Sequence, residues 1–156
     1  MKLSEIQNRI ESVPAVRALG VQLLKVHQMI YERTGGRVGH RLGPTRSVLL
    51  RTIGAKTGQP RTNALTYARD GDDYVVVASM GGAPRSPGWY HNLRAQPDAE
   101  IQIGTTRIPV RARAVLGDDP DRDRVWRLAD RNNGGRYSQY QKLTDRTIPV
   151  VVLSPR

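Results

Sequence analysis

The stretch TNALTYARDGDDYVVVAS, residues 62–79, decides the fold. Residues 62–69 and 74–79 each read as a short strand, the second dominated by β-branched valines. Between them Asp70-Gly71-Asp72-Asp73 is a hairpin turn, with glycine where a tight reversal asks for a left-handed residue. Working outward, residues 47–53, 99–103, 107–116 and 147–153 are further strand candidates. In residues 107–116, Arg107, Arg111 and Arg113 alternate with Ile108, Val110, Ala112 and Ala114, which gives the strand one wet and one buried face. Two helices interrupt the strands. The first is expected to open at Ser86-Pro87, a good N-cap followed by proline at the first helical position. It runs through Trp89, Tyr90, Asn92 and Leu93 to about Gln96, before Pro97. The second, capped by Asp118 or Asp119 with Pro120, carries Val125, Trp126, Leu128 and Ala129 inward. Six short, mainly sequential strands with few crossovers imply a mainly β, antiparallel barrel or sandwich with flanking helices.

Upstream of the strands the periodicity is helical. Residues 3–11 read as a short helix stopped near Pro14, and residues 15–33 as a longer one. On the longer one Val16, Leu19, Leu23, Val26 and Ile30 form a stripe, with Arg17, Lys25, Gln28 and Arg33 away from it. Covering one mouth of the domain core is the commoner use of such a helix and is the expectation here; resting on anionic lipid is the alternative. Gly35-Gly36 end the helix, and a basic, glycine-rich connector, residues 37–44, follows. This divides the chain into an N-terminal amphipathic helical segment, residues 1–40, and a ligand-binding β domain, residues 41–156.

The chain has 156 residues, enough for one domain with a real core. Cysteine is absent, so thiol catalysis, iron–sulfur clusters and cysteine-ligated zinc are excluded, and any redox chemistry must come from a bound cofactor. The three histidines, His27, His40 and His91, are not accompanied by carboxylates at ligand spacing, and no metal is expected. H-E-x-x-H, G-x-S-x-G and G-x-G-x-x-G are all missing, which removes zincins, serine hydrolases and dinucleotide folds. The net charge is +11 and uneven: residues 1–61 carry eleven Lys/Arg against three Glu. The basic half is the end that meets something negative. No apolar run reaches the length of a spanning helix and the first residues have no signal-peptide core, so a cytoplasmic location is expected, with residues 15–33 as the segment for peripheral membrane contact.

Candidate sites follow from residue type. Gly54-Ala55-Lys56-Thr57-Gly58-Gln59-Pro60-Arg61 is a glycine-bracketed basic turn. Two glycines that expose backbone N–H groups, with a Lys and an Arg close by, make a site for phosphate or carboxylate. An exposed hairpin connection is the plain alternative. Ser79 stands at a strand end before Met80-Gly81-Gly82, as a turn residue or as a hydroxyl offered to a flat ligand. Tyr137 and Tyr140 fall on one face if helical, able to donate to a substrate oxygen or simply to pack. Asn132-Asn133-Gly134-Gly135 just before them suits a lid.

The order Lys56-Thr57-Gly58-Gln59-Pro60-Arg61, Ala78-Ser79-Met80-Gly81-Gly82, Pro87-Gly88-Trp89-Tyr90-His91-Asn92-Leu93 and Thr144-Asp145-Arg146-Thr147-Ile148-Pro149 resembles the deazaflavin-dependent nitroreductase family of actinobacteria, from about residue 15 onward. The resemblance implies a split β-barrel of the flavin-binding type and coenzyme F420. It gives Lys56 and Arg61, with the amides around Thr57 and Gly58, the cofactor's phosphate and acidic tail. Ala78, Ser79, Met80, Gly81, Pro87, Gly88, Trp89 and Asn92 would border the ring system, with Ser79, Tyr137 and Tyr140 as the catalytic side chains beside the acceptor. In the pattern it resembles, relatives often carry a further basic residue where Ala55 stands and a Lys at Met80, and the nitro-reducing members have a third tyrosine and a Trp at Gly134 and Leu143. Tail binding is therefore expected to be either weaker or rebuilt from Arg51 or Arg85, and the cofactor half of the site looks more intact than the substrate half. Hydride transfer from the reduced deazaflavin to a quinone, nitroaromatic or enone is the implied activity. A non-catalytic carrier of F420 or a lipid-like ligand is the runner-up, and a nucleic-acid partner is not expected.

Overall fold

The computed structural model describes residues 14–42 and 45–156, so the short helix expected at residues 3–11 lies outside the described residues. In chain order the elements are α1 Pro14–Arg33, β1 Arg41–Leu42, β2 Thr45–Ile53, β3 Pro60–Thr66, β4 Ala68–Asp70, β5 Asp73–Val77, a 3-10 turn Met80–Gly82, α2 Gly88–Ala95, β6 Asp98–Ile103, β7 Thr106–Val115, α3 Arg122–Asn132, α4 Arg136–Gln141 and β8 Val150–Pro155. All strand pairs are antiparallel, in the order β1-β2-β6-β7-β8-β5-β4 with β3 on β2.

Residues 60–70 close the sheet. The expected strand over residues 62–69 is broken at Tyr67, whose N–H donates to Arg46 O at 3.2 Å. Before the break β3 pairs with β2 (Ser47↔Thr66 to Ile53↔Pro60), and after it β4 pairs with β5 (Ala68↔Val75 to Asp70↔Asp73). One bent length of chain thus joins the two ends of the strand order, and pairing runs around a barrel. Asp70–Asp73 forms the expected hairpin, with Gly71 at φ 59°.

Alternation sorts the side chains into two cores. Tyr74, Val76, Ala78, Val151 and Leu153 point into the barrel with Val48, Leu50, Ile101 and Val110. Val75, Val77, Val150 and Val152 point out, under Val125 and Ala129 of α3 and Tyr137 of α4. Both faces of β5 and β8 are therefore buried, which is why these strands are runs of valine rather than alternating sequences. Trp89, Tyr90 and Leu93 of α2 enter the inner core, each contributing about 1.5–3 kcal/mol by leaving water. Arg122 ties the outer layer down: its Nη1 donates to Val115 O (3.3 Å) and Ile148 O (2.6 Å), and its guanidinium lies 4.4 Å from the Trp126 ring centre.

The end of α1 is fastened by polar groups. Tyr31 is fully buried; its hydroxyl lies 3.2 Å from both Ser47 O and Gln102 O and accepts from Gly104 N–H at 2.9 Å. Gln102 Nε2 donates to Gly35 O (3.0 Å) and Gly104 O (2.9 Å). Gly36, at φ 87°, has no room for a side chain, since a Cβ there would stand 1.5 Å from Gly104 O. Gln28 reaches β3, donating to Thr62 O (2.7 Å) and accepting from Ala64 N–H (3.1 Å).

Here the expectation that α1 covers a barrel mouth is corrected. Leu19 and Leu23 are 61% exposed, and Val21, Leu24, Val26, Met29 and Ile30 are exposed too. The physical reason is that α1 meets the barrel through Gln28 and Tyr31, which leaves its apolar stripe facing solvent, while α2 fills the inner core. No described helix is long and apolar enough to cross a membrane. Smaller differences have local causes. Ser86 does not cap α2: Pro87 holds the cap position in extended conformation and the helix begins at Gly88. The strand expected from residue 147 starts at Val150, because Ile148 N–H goes to Gln141 Oε1 and Pro149 has no N–H to pair. The helix expected at Asp118 or Asp119 starts at Arg122, and Asp119 Oδ1 instead accepts from Asp121 N–H at 2.9 Å.

Candidate functional site

The basic turn lies between β2 and β3 as a closed hairpin. Gly54 N–H donates to Gln59 O and Gly58 N–H to Gly54 O, both at 2.8 Å, with Gly58 at φ 68°. Gly54 must stay small, because a Cβ would lie 2.6 Å from Thr57 Oγ1. Lys56, Thr57, Gly58 and Arg61 are exposed, and neither Lys56 nor Arg61 is ion-paired with any described residue. Two free cations on a rigid turn suit a polyanion.

Asn92 joins this turn to α2. Its Oδ1 accepts from Ala55 N–H at 2.9 Å, and its Nδ2 donates to Thr52 Oγ1 at 3.0 Å. Thr52 is the register partner of Arg61, so the turn, its cation and the helix are held in one place. Trp89, three residues earlier, is only 5% exposed and belongs to the barrel core. Arg51, expected to help with an anionic tail, is committed elsewhere: Nη2 donates to Gln102 Oε1 at 2.7 Å and Nη1 lies 3.6 Å from Glu100. Arg85 remains exposed.

A second wall is built from residues 78–88. Ala78 N–H donates to Pro149 O at 2.9 Å, ending the ladder, and the chain then turns through Met80 (φ 47°), Gly81 (φ 64°) and Gly82 (φ 78°). Gly82 is pressed against α4, where a Cβ would lie 2.7 Å from Tyr140 O. Ser79 is 8% exposed, whereas Met80 is open to solvent. Pro87 and Gly88 then lead into α2, so this wall is continuous with the one carrying Asn92.

Arg146 was not singled out by sequence reasoning, although its motif was. Its Nε donates to Ala83 O (2.8 Å), its Nη1 to Ser86 Oγ (3.2 Å), and its Nη2 to Ala78 O (3.1 Å) and Ser79 O (2.9 Å). Burial holds its pKa below the usual arginine value, but the group stays cationic at neutral pH. The Thr-Asp-Arg order was its only signal in a chain rich in arginine.

Tyr137 and Tyr140 do share α4, with ring centres 6.4 Å apart. Tyr137 is buried in the outer core, 6.5 Å from Trp126. Desolvation first, then the neighbouring Tyr140 and Asp130, push its pKa upward, so it stays a neutral phenol. Tyr140 is half-buried beside the Met80–Gly82 turn. The segment expected to be a lid is instead a hydrogen-bonded turn: Asn132 Nδ2 donates to Tyr67 O at 3.0 Å, and the N–H groups of Asn133, Gly134 and Gly135 donate to Ala129 O (3.1 Å), Arg131 O (3.2 Å) and Asp130 O (2.8 Å) of α3. Cavities of about 390 Å³, under Tyr67 and Leu128, and about 310 Å³, beside Tyr90 and Leu93, are lined by other residues than the basic turn, which stands on an open rim.

The comparisons with known proteins converge. A family model described as F420H(2)-dependent quinone reductase matches residues 23–155. An F420H(2)-dependent quinone reductase of Mycobacterium tuberculosis is 58% identical over 141 residues, covering 90% of this chain and 95% of that protein. Among solved structures, an F420-H2 dependent reductase (FDR-A) is 38% identical, covers 69% of this chain and 93% of that one, and superposes with a TM-score of 0.62. Another, described as a domain-swapped dimer, is 32% identical over 86% of this chain and 99% of its own, with a TM-score of 0.64. The split barrel implied by the sequence is the fold they share. The chain belongs to the F420H(2)-dependent quinone reductase family and is a coenzyme F420-dependent oxidoreductase.

Proposed function

We propose that the anionic tail of F420 binds at Lys56, Thr57, Gly58 and Arg61, that its ring lies along Ser79–Gly82 and Pro87–Gly88, and that a quinone meets it on the Tyr140 side. The observation that carries this reading is Asn92, whose two hydrogen bonds dock the free-cation turn onto the helix that continues from the Ser79 wall. The donor set fits the cofactor: two unpaired cations for a polyanionic tail, and glycines that let the backbone approach a flat ring. Reduced F420 supplies a hydride when bound. A quinone that accepts it also needs one proton to become the hydroquinone, and the Tyr140 hydroxyl, half-buried beside the turn, is the group we assign to hold that proton. Asn92 and Trp89 act by positioning rather than by touching the reacting atoms: the first fixes the turn, the second seats α2 in the core. Quinones with apolar tails dissolve in membranes, and the exposed stripe of α1, flanked by exposed Lys25, Arg33 and Arg37, fits peripheral contact with an anionic bilayer from the cytoplasmic side.

Titrating the protein with F420 while following tryptophan fluorescence, then adding menadione to the reduced complex, tests the reading. Removing both cations (Lys56→Ala with Arg61→Ala) is expected to weaken F420 binding by about tenfold or more, because a hydrogen bond to a charged group is worth roughly 1.5–3 kcal/mol. Unchanged affinity in that variant removes the tail assignment.

A further inference from the structure

Arg146 spends all its bonds on neutral acceptors, and none of the described carboxylates pairs with it. Two of those acceptors, Ala78 O and Ser79 O, belong to consecutive peptide groups and take the same Nη2. In a trans peptide the carbonyl and the N–H point in opposite directions. The N–H groups of Ser79 and Met80 are therefore turned away from the guanidinium, and neither donates to any described residue. Their neighbours do: Ala78 N–H reaches Pro149 O, Gly82 N–H reaches Ser79 O, and Ala83 N–H reaches Met80 O. The Ser79 hydroxyl makes no hydrogen bond among the described residues either, and although the residue is only 8% exposed the hydroxyl keeps contact with solvent. Finally, Met80 sits at φ 47°, a conformation disfavoured for any residue with a Cβ, so something outside the turn must hold it.

We propose that Arg146 is a positioning residue: it draws the 78–79 and 79–80 carbonyls inward so that two N–H groups and the Ser79 hydroxyl form a donor set for a polarised ring oxygen. A guanidinium at the carbonyl end of both peptides also strengthens the positive N–H end, as a preorganised dipole does at an oxyanion site. The inference rests on the functional reading above. The oxygen belongs either to the ring of F420 or to the quinone, and the two are separable by experiment.

The full chain is compared with Arg146→Gln and Arg146→Lys by hydrogen exchange, by F420 titration without acceptor, and by menadione kinetics at saturating cofactor. Arg146→Gln is expected to accelerate exchange at Gly82 and Ala83 by about tenfold or more, with β2, β6 and β7 unchanged. If the oxygen is the cofactor's, the F420 dissociation constant rises by about tenfold while the quinone KM stays within about twofold. If it is the quinone's, F420 affinity is retained and kcat/KM falls instead. Arg146→Lys keeps the charge without the planar fork and is expected to behave as the Gln variant does; it also serves should the Gln variant not fold. Wild-type affinity and kcat/KM in these variants, with only a lower melting temperature, would leave Arg146 as a buttress and overturn the proposal. Failure of the wild type itself to bind F420 defeats the functional reading, and the proposal with it, and is told apart because it appears before any substitution.

Discussion

Tyr137 and Tyr140 stand three residues apart on α4, yet burial separates their chemistry. Tyr140 is half-buried beside the turn, while Tyr137 is inside the outer core, where loss of water disfavours its phenolate. Because its folded-state pKa is raised above the ordinary value of 10.0, the folded protein holds this proton where the unfolded chain releases it. The linked stability is fully present below about pH 10 and is lost as pH climbs beyond it. Urea denaturation between pH 9 and about pH 11.5 is expected to show stability falling at up to about 1.4 kcal/mol per pH unit from this group. Tyr137→Phe is expected to flatten that fall, leaving the share of Tyr31, whose pKa is also raised chiefly by burial. Equal slopes in both proteins would contradict the burial argument. The sequence could place the two phenols on one face; which of them is covered depends on β5 and β8, far away in the chain.

Elements show both what a local pattern reveals and where it stops. The hairpin over Asp70–Asp73 is legible because Gly71 alone supplies the left-handed turn, and the alternation of Arg107, Arg111 and Arg113 marks one face of β7 as wet. The break at Tyr67 is not legible, since Tyr67 suits a continuous strand equally well and only its bond to Arg46 O shows the bend. Ser86 has the composition of a cap, but its hydroxyl is taken by Arg146. The Lys56 turn and the Asn92 helix were each readable as candidates; their joining was not, because it runs through one amide 37 residues from Ala55. Asn92→Ala is expected to free Ala55 N–H and Thr52 Oγ1, lowering stability by about 1–2 kcal/mol and weakening F420 binding severalfold by loosening the turn. Unchanged F420 affinity, measured in the same titration, would show that the turn is stiff without the helix. For α1, the stripe was visible, but a stripe says only that something apolar should cover it. Vesicle flotation distinguishes the surfaces: binding to anionic vesicles is expected to exceed binding to zwitterionic ones, and Leu19→Gln with Leu23→Gln to abolish most of it. Equal recovery of both proteins with the vesicles would exclude the helix as the contact.

At the scale of the molecule, the barrel was legible from strand count and sequence order, while its closure was not, because it depends on one stretch of chain belonging to two walls at once. The candidate site divides in the same way. Its charges and glycines announce themselves in sequence, whereas Arg146 acts by gathering carbonyls that any residue type can offer. The placement of β8 between β7 and β5 carries a consequence for how the protein is made. Until Val150–Leu153 have emerged from the ribosome, β5 and β7 each expose an unpaired edge and two valine-lined faces stay wet. The nascent chain must therefore wait, sticky and open-sided, for the stave that joins these two edges, and the cell's folding helpers have that interval to shield it.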